Sequence, residues 1–178
     1  MSKVFLYSLI IALLVVSCGG VHEKEMETVE KMQQSLEAVK GTYNRVDITK
    51  VNVANDTYKY NMNQISTYYS PDSIPKEMTN MVDFYKGIKK INKNFQKAYD
   101  NIEEDIDQVD NQLKVLHSDL SKGGHSKENV AKFIENEQNN LDIVKSTCAN
   151  LISNYETILM IHDSVAHKLN GILFENVE

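Results

Sequence analysis

IKKINKNFQKAYDNIEEDIDQVDNQLKVLHSDL, residues 88–120, returns an apolar side chain every three or four positions with almost no interruption. Ile88, Phe95, Ile102, Val109 and Leu116 stand seven apart, and Asn92, Tyr99, Ile106, Leu113 and Leu120 follow each of them by four. The pattern reaches back through Met81 and Ile74, with Tyr85 and Met78 as their partners. Thirteen of these fourteen sites are apolar or tyrosine. A 3.5-residue period sustained this long specifies a helix packed along a seam. Ser73 and Pro75 suit a helix start, and Ser121-Lys122-Gly123-Gly124 suits its stop, so the spacing predicts a helix over 74–121.

The same period continues on either side. Ser126 caps a second run in which Val130, Val144, Leu151, Ile158, Val165 and Ile172 repeat by seven, with Glu137 in the missing place. Ile134, Leu141, Cys148, Tyr155 and Leu169 fill the partner sites, His162 being the exception, and a helix is expected over 126–173. Upstream, Val29, Met32, Leu36, Val39, Tyr43 and Val46 keep the spacing, which fails at Lys50. It resumes out of phase at Ala54, Tyr58, Met62 or Asn61, Ile65 and Tyr69. Four inserted residues make a stutter, which a continuous helix can absorb. One helix over 24–70 is therefore expected, with a kink or split near 47–55 as its alternative. In that alternative, Val46-Asp47-Ile48 and Val51-Asn52-Val53 are strand-like pieces. The fold class is all-α, an up-down-up antiparallel three-helix bundle or coiled coil occupying residues 24–178 as one domain. Each helix would run about 70 Å at ~1.5 Å per residue.

Composition narrows the function. The 178-residue chain carries a net charge of −6, which argues against nucleic-acid binding and against docking on anionic lipid through charge alone. Seven glycines and two prolines leave few places to break a long helix. Motifs for phosphate loops, nucleophile elbows, zincin helices and c-type haem are absent, so neither an enzyme nor a cofactor is indicated.

The first residues are different. Met1-Ser2-Lys3 precedes an apolar run from Val4 to Val16, too short for a hydrocarbon core of ~30 Å and well suited to a secretory signal peptide. Val15-Val16-Ser17-Cys18 resembles the lipobox of bacterial lipoproteins. That resemblance implies cleavage of residues 1–17, thioether lipid on Cys18, an acylated amino group of the palmitate type, and a short tether over 18–23. Two or three acyl chains anchor stably where one is marginal. Gly19 in place of Asp implies the outer membrane rather than the inner, the chain facing the periplasm or the cell surface. Loss of Lys3 takes the net charge from −6 to −7. Lipid on Cys18 would leave Cys148 with no disulfide partner.

Three groups of side chains are candidates for function. In Ile161-His162-Asp163-Ser164-Val165-Ala166-His167-Lys168, Asp163 and His167 lie one helical turn apart and with His162 could help hold a metal or small ligand. The competing reading makes His162 a core histidine bonded to a tyrosine and Asp163–His167 an exposed pair. The same octapeptide looks like a segment of small helical bacterial lipoproteins described as viral A-type inclusion proteins, a resemblance that implies no activity. His22, His117 and His125 belong to the membrane-proximal end, away from it. Asn92, Lys50 and Tyr155 fall level in the antiparallel alignment, a polar layer that would fix register. Tyr68, Tyr69, Pro71, Ile74, Leu173, Phe174 and Val177 collect at the membrane-distal tip, either closing the bundle or meeting an envelope partner. The reading that results is a lipid-anchored, non-enzymatic scaffold, spacer or interaction module. Self-association through its heptad faces is open, and a metal- or ligand-binding periplasmic bundle is the alternative.

Overall fold

The computed structural model describes residues 22–70, 73–123 and 125–175, with side chains to Leu173. Cys18, Pro71 and Val177, and the side chain of Phe174, lie outside the described residues. Among the described residues five helices follow in order: α1 Glu23–Tyr43, α2 Ile48–Tyr68, α3 Lys76–Tyr85, α4 Gly87–Lys122 and α5 Lys127–Glu175. The protein is all-helical, with no strand among the described residues. None of the described helices is long and apolar enough to cross a membrane.

The expected first helix is two, the split given as the alternative, a few residues ahead of most of 47–55. α1 ends in tightened bonds, Arg45 N–H to the Thr42 carbonyl and Val46 N–H to that of Tyr43. Asp47 then adopts extended backbone at φ −99° and ψ 97°, and its carboxylate accepts from the Thr49 N–H at 3.0 Å. That carboxylate satisfies one orphan donor of α2 and fixes its start. Val46-Asp47-Ile48 is thus a helix cap, and the break falls at 44–47, ahead of Lys50. Val51-Asn52-Val53 is helical, with Val51 fully buried.

The second expected helix starts at Lys76 and divides at Lys86. Pro75 is its N-cap, with no side-chain bond, while Ser73 Oγ donates to the Ser70 carbonyl. At Lys86 the backbone stays right-handed helical (φ −58°, ψ −22°), and Gly87, a poor helix former, follows. The division therefore keeps phase: Tyr85 and Ile88 are both completely buried. Gly123 ends α4 at φ 69°, the left-handed position only glycine takes without cost. Ser126 Oγ accepts from the Asn129 N–H at 3.4 Å and opens the 49-residue α5.

Two compact units partition these helices. The first takes the chain to Leu36 together with Gln108–Leu141. Its core is Val29, Met32, Leu36, Val109, Leu113, Leu116, Leu120, Val130 and Leu141. His22, 1% exposed, donates from Nε2 to the His125 carbonyl at 3.1 Å. The second takes Glu37–Asp107 and Asp142–Glu178. Here Tyr58, Ile65, Met78, Val82, Tyr85, Ile88, Ile161, Val165, Leu169 and Leu173 form one cluster. A row of aromatic contacts joins Tyr43 to Tyr99, Tyr99 to Phe95 and Phe95 to Tyr155, at centroid distances of 5.9, 5.6 and 6.5 Å. Cys148 is a buried free thiol whose Sγ donates to the Val39 carbonyl at 3.8 Å, and burial raises its pKa.

Candidate functional site

Two polar features of the second unit stand out against its apolar packing. One is internal. On α2, Ala54, Tyr58, Asn61 and Ile65 are buried and Met62 is only partly so, which gives the seam position to Asn61. Asn61 is 0% exposed; its amide lies near enough to the Tyr85 hydroxyl to act on its ionisation, yet neither amide atom meets full hydrogen-bond geometry. Tyr85 lies against Tyr58 edge-to-face at 5.2 Å, and its Oη is 3.4 Å from His162 Nδ1. Burial pushes the Tyr85 phenol up to about 12, against a downward pull from Asn61. Tyr43 is likewise raised to about 12, by burial first and then by Tyr99.

Both shifts have the same consequence. Unfolded tyrosine ionises near pH 10, so the fold favours the neutral phenols. A raised folded pKa contributes stability that is complete below the unfolded value and disappears as pH climbs through the folded one. The urea midpoint should hold steady from pH 7 to about 9 and fall between about 10 and 12. The Tyr43→Phe/Tyr85→Phe double variant should flatten that fall; an unchanged slope would remove these phenols as its cause.

The other feature is on the surface. α2 and α4 border a groove of about 530 Å³ lined by Asn55, Lys59, Lys86, Lys89, Lys90, Asn92 and Lys93. Lys59 pairs with Asp56 at 3.0 Å and Lys86 with Asp83 at 2.9 Å. Among the described residues Lys89, Lys90 and Lys93 have no carboxylate partner. Along the chain, 86–89, 86–90, 89–93, 90–93 and 93–97 are like-charged pairs three or four apart. Such pairs destabilise a helix by roughly 0.2–0.5 kcal/mol each at low salt. Asn92 sits among them with its Oδ1 buried and unpartnered.

The residues singled out from the sequence are differently placed. Lys50 is exposed in the first turn of α2, Asn92 lines the lysine groove, and Tyr155 packs on Phe95. The three form no hydrogen bond with one another, because Lys50 lies on the outer side of a helix whose seam is Val51, Ala54 and Tyr58. Asp163 and His167 are exposed and make no ion pair, while His162 turns to Tyr85. No three His, Cys, Asp or Glu side chains gather into a metal-holding group among the described residues. At the expected tip, Leu173 belongs to the core of the second unit and Tyr69 and Ile74 pack against it, while among the described side chains of that set Tyr68 alone is exposed, at 57%.

The lysine groove was not foreseen, although its signal is plain. Lys86, Lys89, Lys90, Lys93 and Lys97 fall within twelve residues holding no acid, whereas Asp100, Glu103, Glu104, Asp105, Asp107 and Asp110 follow with no base. Heptad analysis reads seam positions, and these charges lie on the flanks. No family model, curated protein or solved structure matches this chain.

Proposed function

We propose that the chain is a lipid-anchored, non-enzymatic protein of the bacterial cell envelope. It holds a helical scaffold or interaction module at the membrane surface, the outer membrane in preference to the inner. The observation that carries this reading is Val15-Val16-Ser17-Cys18 at the end of an apolar run preceded by Lys3. A peptidase that accepts extended backbone in a narrow site needs the small residues at 17 and 19, and Cys18 supplies the thiol for the lipid. The helices then supply the body. On this reading α1 with α2, α3 with α4, and α5 are three passes of an up-down-up bundle, each with its seam inward. The all-helical structure and the phase kept across Lys86 support it.

Fractionation of cells tests the anchor. The native chain should sediment with membranes and enter the detergent phase. Exchanging residues 1–17 for a signal peptide removed by the general secretory peptidase, together with Cys18→Ala, should lose both properties, because the apolar run Val4–Val16 leaves with the signal and no described helix offers a spanning segment. Retention of that variant in the detergent phase at the native level would contradict the proposal.

A further inference from the structure

We propose that the α2–α4 groove binds a small multivalent phosphate anion. This site does not depend on the lipid anchor. Five lysines and two asparagines line an open groove of about 530 Å³, within the size range of small-molecule sites. Asp56 and Asp83 offset two of the five cations, and three remain without a carboxylate among the described residues. Like-charged neighbours on one helix cost stability, and a bound anion is the group that would reverse that cost.

The chemistry of the donors selects the ligand. Lysine ammoniums are compact, mobile point charges that meet phosphate oxygens from several directions. The groove holds no guanidinium, so it offers concentrated point charge rather than a planar fork, which favours an anion of high charge density over a single carboxylate. Asn92 and Asn55 add neutral amides to the lining. Length is limited as well. Asp100 stands only seven residues beyond Lys93, about 10 Å along α4 at ~1.5 Å per residue, and opens the acidic run. An extended polyanion would be repelled there, whereas orthophosphate, a diphosphate or a phosphomonoester headgroup ends before it.

The test is isothermal titration of the full chain in neutral detergent at low salt, with inorganic pyrophosphate and, separately, with short-chain phosphatidic acid. Saturable binding of pyrophosphate, one per chain, is expected. In Lys89→Gln/Lys90→Gln/Lys93→Gln the affinity should fall about tenfold, three exposed charge contacts having been removed. A reference variant, Lys31→Gln/Lys132→Gln/Lys145→Gln, removes the same charge from lysines already paired with Glu27, Glu128 and Asp142, and should stay within about twofold of native. Binding of pyrophosphate alone assigns a soluble phosphate; equal lysine dependence with phosphatidic acid assigns a lipid headgroup. Absence of saturable binding to both probes, or equal losses in the two triple variants, would overturn the site. Circular dichroism of each variant establishes that it is folded.

Discussion

Tyr85→Ala should lower the free energy of unfolding by about 3–5 kcal/mol, the usual cost of emptying a large buried aromatic site. Tyr85 is 0% exposed and sits where α3 meets Tyr58 of α2 in the main cluster of the second unit. Neighbours on continuous helices cannot close over a missing ring without shifting their own seams, so the cavity persists. Against a typical domain stability of about 5–15 kcal/mol this is a large fraction. The urea midpoint should fall while the denaturant slope stays unchanged. Tyr85→Phe separates ring from hydroxyl. The contact between Oη and His162 Nδ1, at 3.4 Å, is at the long limit of a hydrogen bond, so its loss should cost under about 1 kcal/mol. An alanine variant that unfolds like the phenylalanine one would mean that Tyr85 is not a core residue.

Asn61→Leu should act in the opposite direction, raising stability by about 1–3 kcal/mol. A buried donor and acceptor left unmatched carry roughly that penalty, and leucine, with the same branched outline but a larger volume, removes it and gives part of the gain back to packing. Asn61 is fully buried with both amide atoms unpartnered. Thermal and urea unfolding should agree on the gain. A loss of stability would show that the amide is hydrogen-bonded in solution and that its place in the core is one of specificity rather than cost.

Why the helices were legible, the first break only as an alternative and the second not at all, follows from the same physics. Burial along one seam repeats with the helix, so Phe95, Ile102, Val109 and Leu113 announce α4 from spacing alone, and all are buried. The turn at 44–47 shows in the spacing only as a loss of phase at Lys50, which suits a stutter as well as the split near 47–55; it contains no glycine or proline, and its decisive residue, Asp47, acts through one carboxylate bond. The division at Lys86 leaves the seam in phase and is therefore invisible to any heptad count. The lysine groove lies off the seam, where charge rather than spacing carries the information. The supposed layer of Lys50, Asn92 and Tyr155 was placed by aligning three unbroken helices. A break at 44–47 removes that premise, and Lys50 is exposed.

The anchor is tested most directly by the intact mass of the protein extracted from cell membranes. The account requires a chain beginning at Cys18, residues 1–17 gone, and carrying the added mass of a diacylglyceryl thioether with or without a third acyl chain on the amino group. A chain that retains Met1, or one cut elsewhere and carrying no lipid, would contradict it.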